Sequence, residues 1–526
     1  MATSTSFDSS IDNPSVGRWL VAIAVMASAV MELIDTSAVN VSLPYIAGNL
    51  SATTTEATWV LTSYLVSNAV VLPLAGWLAN YFGRKRLLMI AVGGFTISSM
   101  MCGLAPSLPL LIVFRVLQGA TGGSLQPTTR AILLETFPRE ERGHAMAFWG
   151  VGIVVAPILA PMLGGWLTTD YSWRWVFFIN LPFGILGLIL LQLFVHDPPY
   201  IRRGSLRMDY WGLGMLVTGI AALQVMLDKG QEDDWFGSHF IVALAVIAAV
   251  SLTTFVIWEL LSEHPLVHFR LLKFRTFAVG TTLGAILGFV LYGSIVLIPL
   301  YMQEILGFPA ITAGFWNSPR GMATMALMPV AGILIGRRWD MRAMIFCGLL
   351  LAAVGVFLFS FVNLNAGPWN FVLPQIVMGA GLSFTFPPLS TITVDPIPAE
   401  EMGYATSITS LMRNIGASVG ISIVATMLAR SRQARQMRLV ANVTGSSNTV
   451  HNFISHLRAD FLSQSLSTVE ASRRALLMIY RLTLQQAAVL SYLGDFRLLA
   501  VLLVLVAPLV WLMRKPEYKD ESGSSH

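Results

Sequence analysis

The chain has 526 residues, of which 55% are hydrophobic and 12% charged, with a net charge of +5 and a mean hydropathy of +0.68. So little charge spread over so many long apolar runs excludes a soluble domain, which could neither stay dispersed nor bury them all. The basic balance does not point to nucleic acid, because no basic patch interleaved with aromatics appears.

Residues 1–18 are Ser/Asp-rich, without a basic leader or a small-residue cleavage site, so the apolar run that follows is expected to be a retained helix. A hydrocarbon core about 30 Å thick needs about 20 apolar helical residues per crossing. Fourteen runs meet that length, starting near Trp19, Trp59, Leu87, Leu108, Ala145, Trp175, Tyr210, Phe240, Phe277, Thr312, Met344, Phe371, Tyr404 and Phe496. They predict an all-α polytopic membrane protein in a six, two, six pattern. After an inner tail (1–18) come a first six-helix bundle (19–200), an inserted two-helix hairpin (201–262) and a second six-helix bundle (263–514), then a tail at 515–526. The second bundle carries a long outer loop at 431–495. That loop is polar, with Gly445-Ser446-Ser447-Asn448, and holds an amphipathic helical stretch around Phe453 to Tyr480, suited to resting on lipid or docking a partner protein. With the amino terminus inside, about 18 Lys/Arg fall in inner tails and loops, and only Arg174 and Lys229 in short outer loops. The net charge therefore reflects topology, and both termini are expected in the cytoplasm. Cys102 and Cys347 both lie inside predicted spans and cannot form a disulfide framework or metal cluster on their own.

The two six-span blocks echo each other. Ala75-Gly76-Trp77-Leu78-Ala79-Asn80-Tyr81-Phe82-Gly83-Arg84-Lys85-Arg86 follows the second span of one, and Ala331-Gly332-Ile333-Leu334-Ile335-Gly336-Arg337-Arg338 the second span of the other. Paired halves of this kind build a central site that opens alternately to either side. Gly76 and Gly83 allow close approach and a tight turn, and Arg84 holds the turn at the inner surface. In the fifth span, Pro157 and Pro161 with Gly164 and Gly165 form a stretch suited to bending and close packing. Small residues four apart, such as Gly119/Gly123, Gly284/Gly288 and Gly332/Gly336, read as packing contacts.

Ionisable residues inside spans carry the chemistry, because each costs at least about 2.5–3.5 kcal/mol at mid-bilayer. Glu32 and Asp35 lie one turn apart in the first span. Arg115, Arg320 and Arg413 lie in the fourth, tenth and thirteenth. A carboxylate in a low-dielectric cavity can bind and release a proton near neutral pH, whereas one paired with an arginine is a structural ion pair. Both readings stand for Glu32 and Asp35. Arg320 sits near the outer third of its span, where snorkelling competes with function. Gly416-Ala417-Ser418-Val419-Gly420 fits a hydrolase nucleophile pattern but lies mid-span on a helix, without the strand-turn-helix setting that chemistry needs. No phosphate-binding Gly-Lys-Ser/Thr loop or zinc-type His-Glu…His helix occurs, so ATP is not the expected energy source and the chain is not expected to be an enzyme.

Leu33-Ile34-Asp35-Thr36-Ser37-Ala38-Val39-Asn40-Val41-Ser42-Leu43-Pro44 resembles the first-helix signature of the fourteen-span drug:proton antiporters of the major facilitator superfamily, the EmrB/QacA type. Arg115-Val116-Leu117-Gln118-Gly119 resembles the fourth-helix motif, and Trp173-Arg174-Trp175-Val176-Phe177-Phe178-Ile179-Asn180-Leu181-Pro182 the start of the sixth helix. Leu227-Asp228-Lys229-Gly230-Gln231-Glu232-Asp233-Asp234-Trp235-Phe236 resembles the hairpin of the EmrB subgroup. The resemblance spans about 19–514. It implies a major facilitator fold and, in the inner membrane, export of amphipathic toxic compounds in exchange for protons, with the proton motive force in place of a cofactor. Asp35 and Arg115, with Glu32 as an additional acid, are the expected proton-coupling groups. Asn40, Gln118, Gln126 and Arg413 are candidates for the substrate cavity. The resemblance further implies a periplasmic adaptor like EmrA and an outer-membrane channel like TolC as partners. A narrow-spectrum exporter of a fatty acid, aromatic acid or siderophore is the alternative. Asn80 stands where the superfamily usually has Asp, Ala160 precedes Pro161 where the antiporter motif prefers Gly, and Glu32 lies outside the signature.

Overall fold

A computed structural model describes residues 14–197, 208–263, 265–364, 366–367, 369–443, 448–463 and 467–515. Most of the tail 1–18, Gly445 to Ser447 and the tail 516–526 lie outside the described residues. Among the described residues all regular structure is helical, and fourteen helical segments are long and apolar enough to cross a membrane. In chain order, spans 1 to 6 are Gly17–Asn49, Thr55–Phe82, Arg84–Leu104, Leu108–Thr136, Arg142–Asp170 and Trp175–Phe194. Spans 7 and 8 are Tyr210–Lys229 and His239–Leu261. Spans 9 to 14 are Arg275–Ile305, Thr312–Gly336, Met341–Phe361, Trp369–Val394, Ala399–Ala441 and Thr468–Leu512. All but the last begin within a few residues of the expected starts, and the protein is a multi-pass membrane protein of the expected class.

Span 1 packs on spans 5 and 6 and span 2 on span 4; in the second bundle span 9 packs on span 13, and span 12 on spans 10 and 11. The bundles meet along span 5 with span 10 and along spans 2 and 4 with span 13. Spans 7 and 8 pair with each other, and span 7 lies against both span 2 and span 13. Span 8 exposes Val242, Val246, Val250 and Ile257, the uniform apolar surface of a helix bathed in lipid.

The expected outer loop is a helical projection. Spans 13 and 14, at about 1.5 Å per residue, are each about 65 Å long, roughly twice the hydrocarbon thickness. Helix Asn448–Ser463 packs on span 14, and Leu439, Phe453, Ile479 and Leu482 line a cavity of about 440 Å³ between them. The stretch from Phe453 to Tyr480 is thus two helices. Ser467 starts the second by accepting a hydrogen bond from the Glu470 amide at 3.3 Å, the first half of a capping box.

The face that carries both described termini is closed by close packing across the repeat. A Cβ on Gly76 would sit 2.7 Å from Tyr404 Cα and one on Gly332 3.1 Å from Ala147 Cβ, so each repeat glycine lets a span touch the opposite bundle. Gly83 has φ +88°, the left-handed conformation that turns span 2 into span 3. Arg84, fully buried, pairs with Glu135 at the end of span 4. Span 5 runs as one helix through Pro157 and Pro161. Gly164 lies against Ala38 of span 1, while Gly165 has only Val41 nearby.

Gly76→Val places branched carbons against the Tyr404 backbone. The overpacking cost of about 1–3 kcal/mol would shift the open-to-closed ratio of this face by roughly one to two powers of ten. Electron–electron resonance between spin labels at Phe82 and Trp339, both exposed on this face, is expected to show a longer separation in the variant.

Candidate functional site

A cavity of about 630 Å³ lies between the bundles, walled by spans 1, 2, 4, 5, 7, 9, 10 and 13. Span 1 contributes Glu32 to Val41, span 9 Tyr292 to Gln303 and span 5 Pro157 to Gly165, all in the halves of those helices remote from the terminal face. The cavity therefore belongs to a conformation closed toward the termini. Its wall mixes Leu61, Leu65, Ile295 and Val296 with Asn40, Asn68, Gln126 and Asn317. That mixture suits a ligand with an apolar body and a few polar groups.

Behind Arg413 of the cavity wall lies a stack of aromatic rings with a second guanidinium. Trp149 of span 5 stacks on Phe386 of span 12 with centroids 5.6 Å apart. Arg413 lies 5.5 Å from the Trp149 ring and Arg130 lies 5.8 Å from it. Arg413 donates to Gln126 Oε1 at 2.7 Å, while Arg130 donates to Thr409 Oγ1 at 2.9 Å and to the Ser390 carbonyl at 3.0 Å. Each arginine thus bonds across the bundle interface. Nearer the terminal surface, His268 stacks on Tyr404 at 3.8 Å, and burial, aided by Arg270, pushes its imidazole below the usual histidine range. Asp395 faces Arg139 and Arg142, yet burial holds its carboxyl above the usual range.

Glu32 stands on the cavity wall, 4% exposed. Its Oε1 accepts from Asn68 Nδ2 at 2.9 Å and from the Tyr64 hydroxyl at 3.5 Å, and its Oε2 has no hydrogen-bond partner among the described residues. Asp35 turns away from the cavity into the first bundle. Its Oδ2 accepts from Arg115 Nη1 at 2.7 Å, and its Oδ1 from Gln118 Nε2 at 3.0 Å and Asn180 Nδ2 at 2.6 Å. Arg115 also donates to Gln118 Oε1 at 2.7 Å and to the Val60 carbonyl at 3.1 Å, with its guanidinium 4.6 Å from the Tyr64 ring. Both members of the pair are fully buried.

The structure therefore separates residues that the sequence grouped. Asn40, Gln126, Arg413 and Glu32 share the cavity, together with Pro157, Pro161 and Gly165. Gln118 does not: it is fully buried and spends its amide on Asp35 and Arg115. Gly76, Gly83 and Arg84 belong to the closed terminal face, and Gly164 to the contact of span 5 with span 1. Arg320 is 1% exposed, with Ser294 Oγ 3.5 Å from Nη1, so it is an interior residue and does not snorkel. Gly416 and Gly420 of the hydrolase-like pattern lie against the backbone of Ala285 and Phe289 in span 9, and Ser418 bonds Gln224. Sequence reasoning missed Arg130, Trp149 and Asp228. Arg130 was legible as a fourth arginine in an apolar run, just ahead of Ala131 to Leu134; nothing local marks Trp149.

The family model described as Major Facilitator Superfamily matches residues 25–421. The fatty acid resistance protein FarB of Neisseria gonorrhoeae is 35% identical over 96% of this chain and 97% of its own length. The multidrug export protein EmrB of Haemophilus influenzae is 36% identical over 94% of this chain and 96% of its own length. Among solved structures, the proton:xylose symporter XylE superposes with a TM-score of 0.59 at 15% identity, covering 94% of this chain and 96% of that one, a likeness of fold alone.

Proposed function

Because the chain belongs to the Major Facilitator Superfamily, as a transporter of the EmrB type rather than an enzyme, we propose that it exports amphipathic toxic compounds in exchange for protons. The observation that carries this reading is Glu32, a buried carboxylate on the cavity wall with one oxygen unpartnered, where a proton and a substrate group compete for the same atoms. Substrate enters when the terminal face is open, and the bundles then rock to the conformation described above. A proton arriving from the far side neutralises Glu32, releases the ligand and travels inward on the return stroke. Asp35, held by Arg115, Gln118 and Asn180, keeps span 1 in register with spans 4 and 6 and responds to that movement.

The excess of Lys/Arg on the terminal face supports an inner-membrane orientation with both termini cytoplasmic. The helical projection of spans 13 and 14 then stands in the periplasm. Its length and apolar cavity suit an adaptor like EmrA leading to a channel like TolC. A fatty-acid exporter is the second reading, favoured by the relative FarB and by Arg413 in the cavity.

Transport by purified protein in proteoliposomes tests the proposal. An imposed gradient of about 2 pH units is expected to drive uphill movement of amphipathic cations at least about ten-fold above the rate without a gradient. Transport indifferent to the gradient would overturn proton coupling. Movement of fatty acids alone would select the second reading.

A further inference from the structure

The inserted hairpin supplies a wall of the cavity. Gln224, Leu227, Asp228 and Gln231 of span 7 and the turn after it line the space between span 2 and span 13. They are fixed from both sides: Asp228 accepts from Thr62 of span 2, and Gln224 exchanges hydrogen bonds with Ser418 of span 13 at 3.0 and 3.1 Å. The neighbouring Lys229 turns its ammonium to Glu232 at 2.7 Å and Thr58 at 2.5 Å, beside the Trp59 ring. Asp228 is exposed to the cavity.

The charged groups on the described cavity wall are then Glu32, Asp228 and Arg413. Arg413 keeps its positive charge, bonded to the neutral Gln126 and lying over two aromatic rings, within electrostatic reach of Glu32. The two carboxylates outnumber it, and one of them has an unpartnered buried oxygen. Their partners on span 2, Thr62 and Asn68, are six residues apart on one helix, about 9 Å in depth. The acids thus stand at two depths along the exit direction, Asp228 nearer the mouth.

We propose that Asp228 is a substrate-binding residue contributed by the hairpin. With Glu32 it forms a two-step path for the charged head of an amphipathic cation. Protonation of Glu32 removes the inner counter-charge, and Asp228 takes the cation on its way out, while the apolar body slides along Leu61, Leu65 and Val296. This deepens the export reading and rests on it. No sequence pattern marked Asp228 as a site, because its role depends on where the hairpin docks.

Equilibrium binding to the purified full-length protein tests it, with tetraphenylphosphonium as the cation and laurate as the anion. Asp228→Asn is expected to weaken tetraphenylphosphonium binding about ten-fold while leaving laurate unchanged or tighter, and Asp228→Glu to stay within about two-fold of the parent. Unchanged cation binding in Asp228→Asn would overturn the proposal. Equal loss of both ligands would also overturn it, by assigning Asp228 a structural role through Thr62. Laurate binding without any tetraphenylphosphonium binding by the parent protein would refute the cation path and leave export standing. Binding of neither ligand, with no transport in proteoliposomes, would refute the export reading itself.

Discussion

Glu32→Gln is expected to abolish uphill, gradient-driven transport while the protein still folds and still exchanges substrate downhill. Glutamine keeps the shape of the side chain and can still accept from Asn68 and Tyr64, so packing of span 1 against span 2 is preserved. It cannot carry a proton, so the group that exchanges proton for substrate is gone. In proteoliposomes, accumulation under a pH gradient is expected to fall by at least about a hundred-fold, the upper range of a coupling free energy of 1–3 kcal/mol. Downhill equilibration of the same compound is expected to stay within a few-fold. Retained coupling in Glu32→Gln would move the proton site elsewhere, with Asp35 the first group to examine.

Arg115→Met is expected to be the most destabilising single substitution in the first bundle. It strips Asp35 of its only ion-pair partner among the described residues while leaving the carboxylate buried. Removing one member of a buried pair costs about 3–5 kcal/mol, because the remaining charge is uncompensated. Asp35→Asn strands the Arg115 charge in turn, but the guanidinium keeps Gln118, the Val60 carbonyl and the faces of the Tyr64 and Phe177 rings, and this variant should cost less. The double variant should recover part of the Arg115→Met loss, since neither charge is then stranded. Thermal unfolding in detergent resolves the order. If Asp35→Asn unfolds near the parent temperature yet transports without coupling, Asp35 acts in the proton path; if stability and transport fall together, it is an anchor. Equal stability of Arg115→Met and the parent would contradict the geometry outright.

Much of the architecture was legible because membrane thickness acts directly on run length. Spans 1 to 13 begin within a few residues of the expected starts. The last does not, because its first 28 residues, from Thr468 to Asp495, are helical yet too polar to read as a span. Polarity told those residues apart from the bilayer, but it carries no information on whether they are coil or helix.

The candidate site was legible in kind and not in arrangement. Glu32, Asp35, Arg115 and Arg413 stood out because charge inside an apolar helix is costly and must be used or paired. Their division of labour was not readable. Residues three apart on a helix differ by about 60° in azimuth, enough to put one in a cavity and the other in a closed interior. Gln118 was assigned to the wrong side for the same reason.

By itself, then, the sequence determined the number and order of the spans, the inserted hairpin, the repeat with its paired glycines and the asymmetry of positive charge. These are one-dimensional consequences of hydrocarbon thickness and of the cost of moving charge through it. Only the tertiary structure decided that Glu32 faces the cavity while Asp35 is locked to Arg115, that two arginines gather at the Trp149 ring, and that Asp228 reaches the wall. Those facts depend on how each helix is rotated and which neighbours it meets, and packing between distant segments sets both.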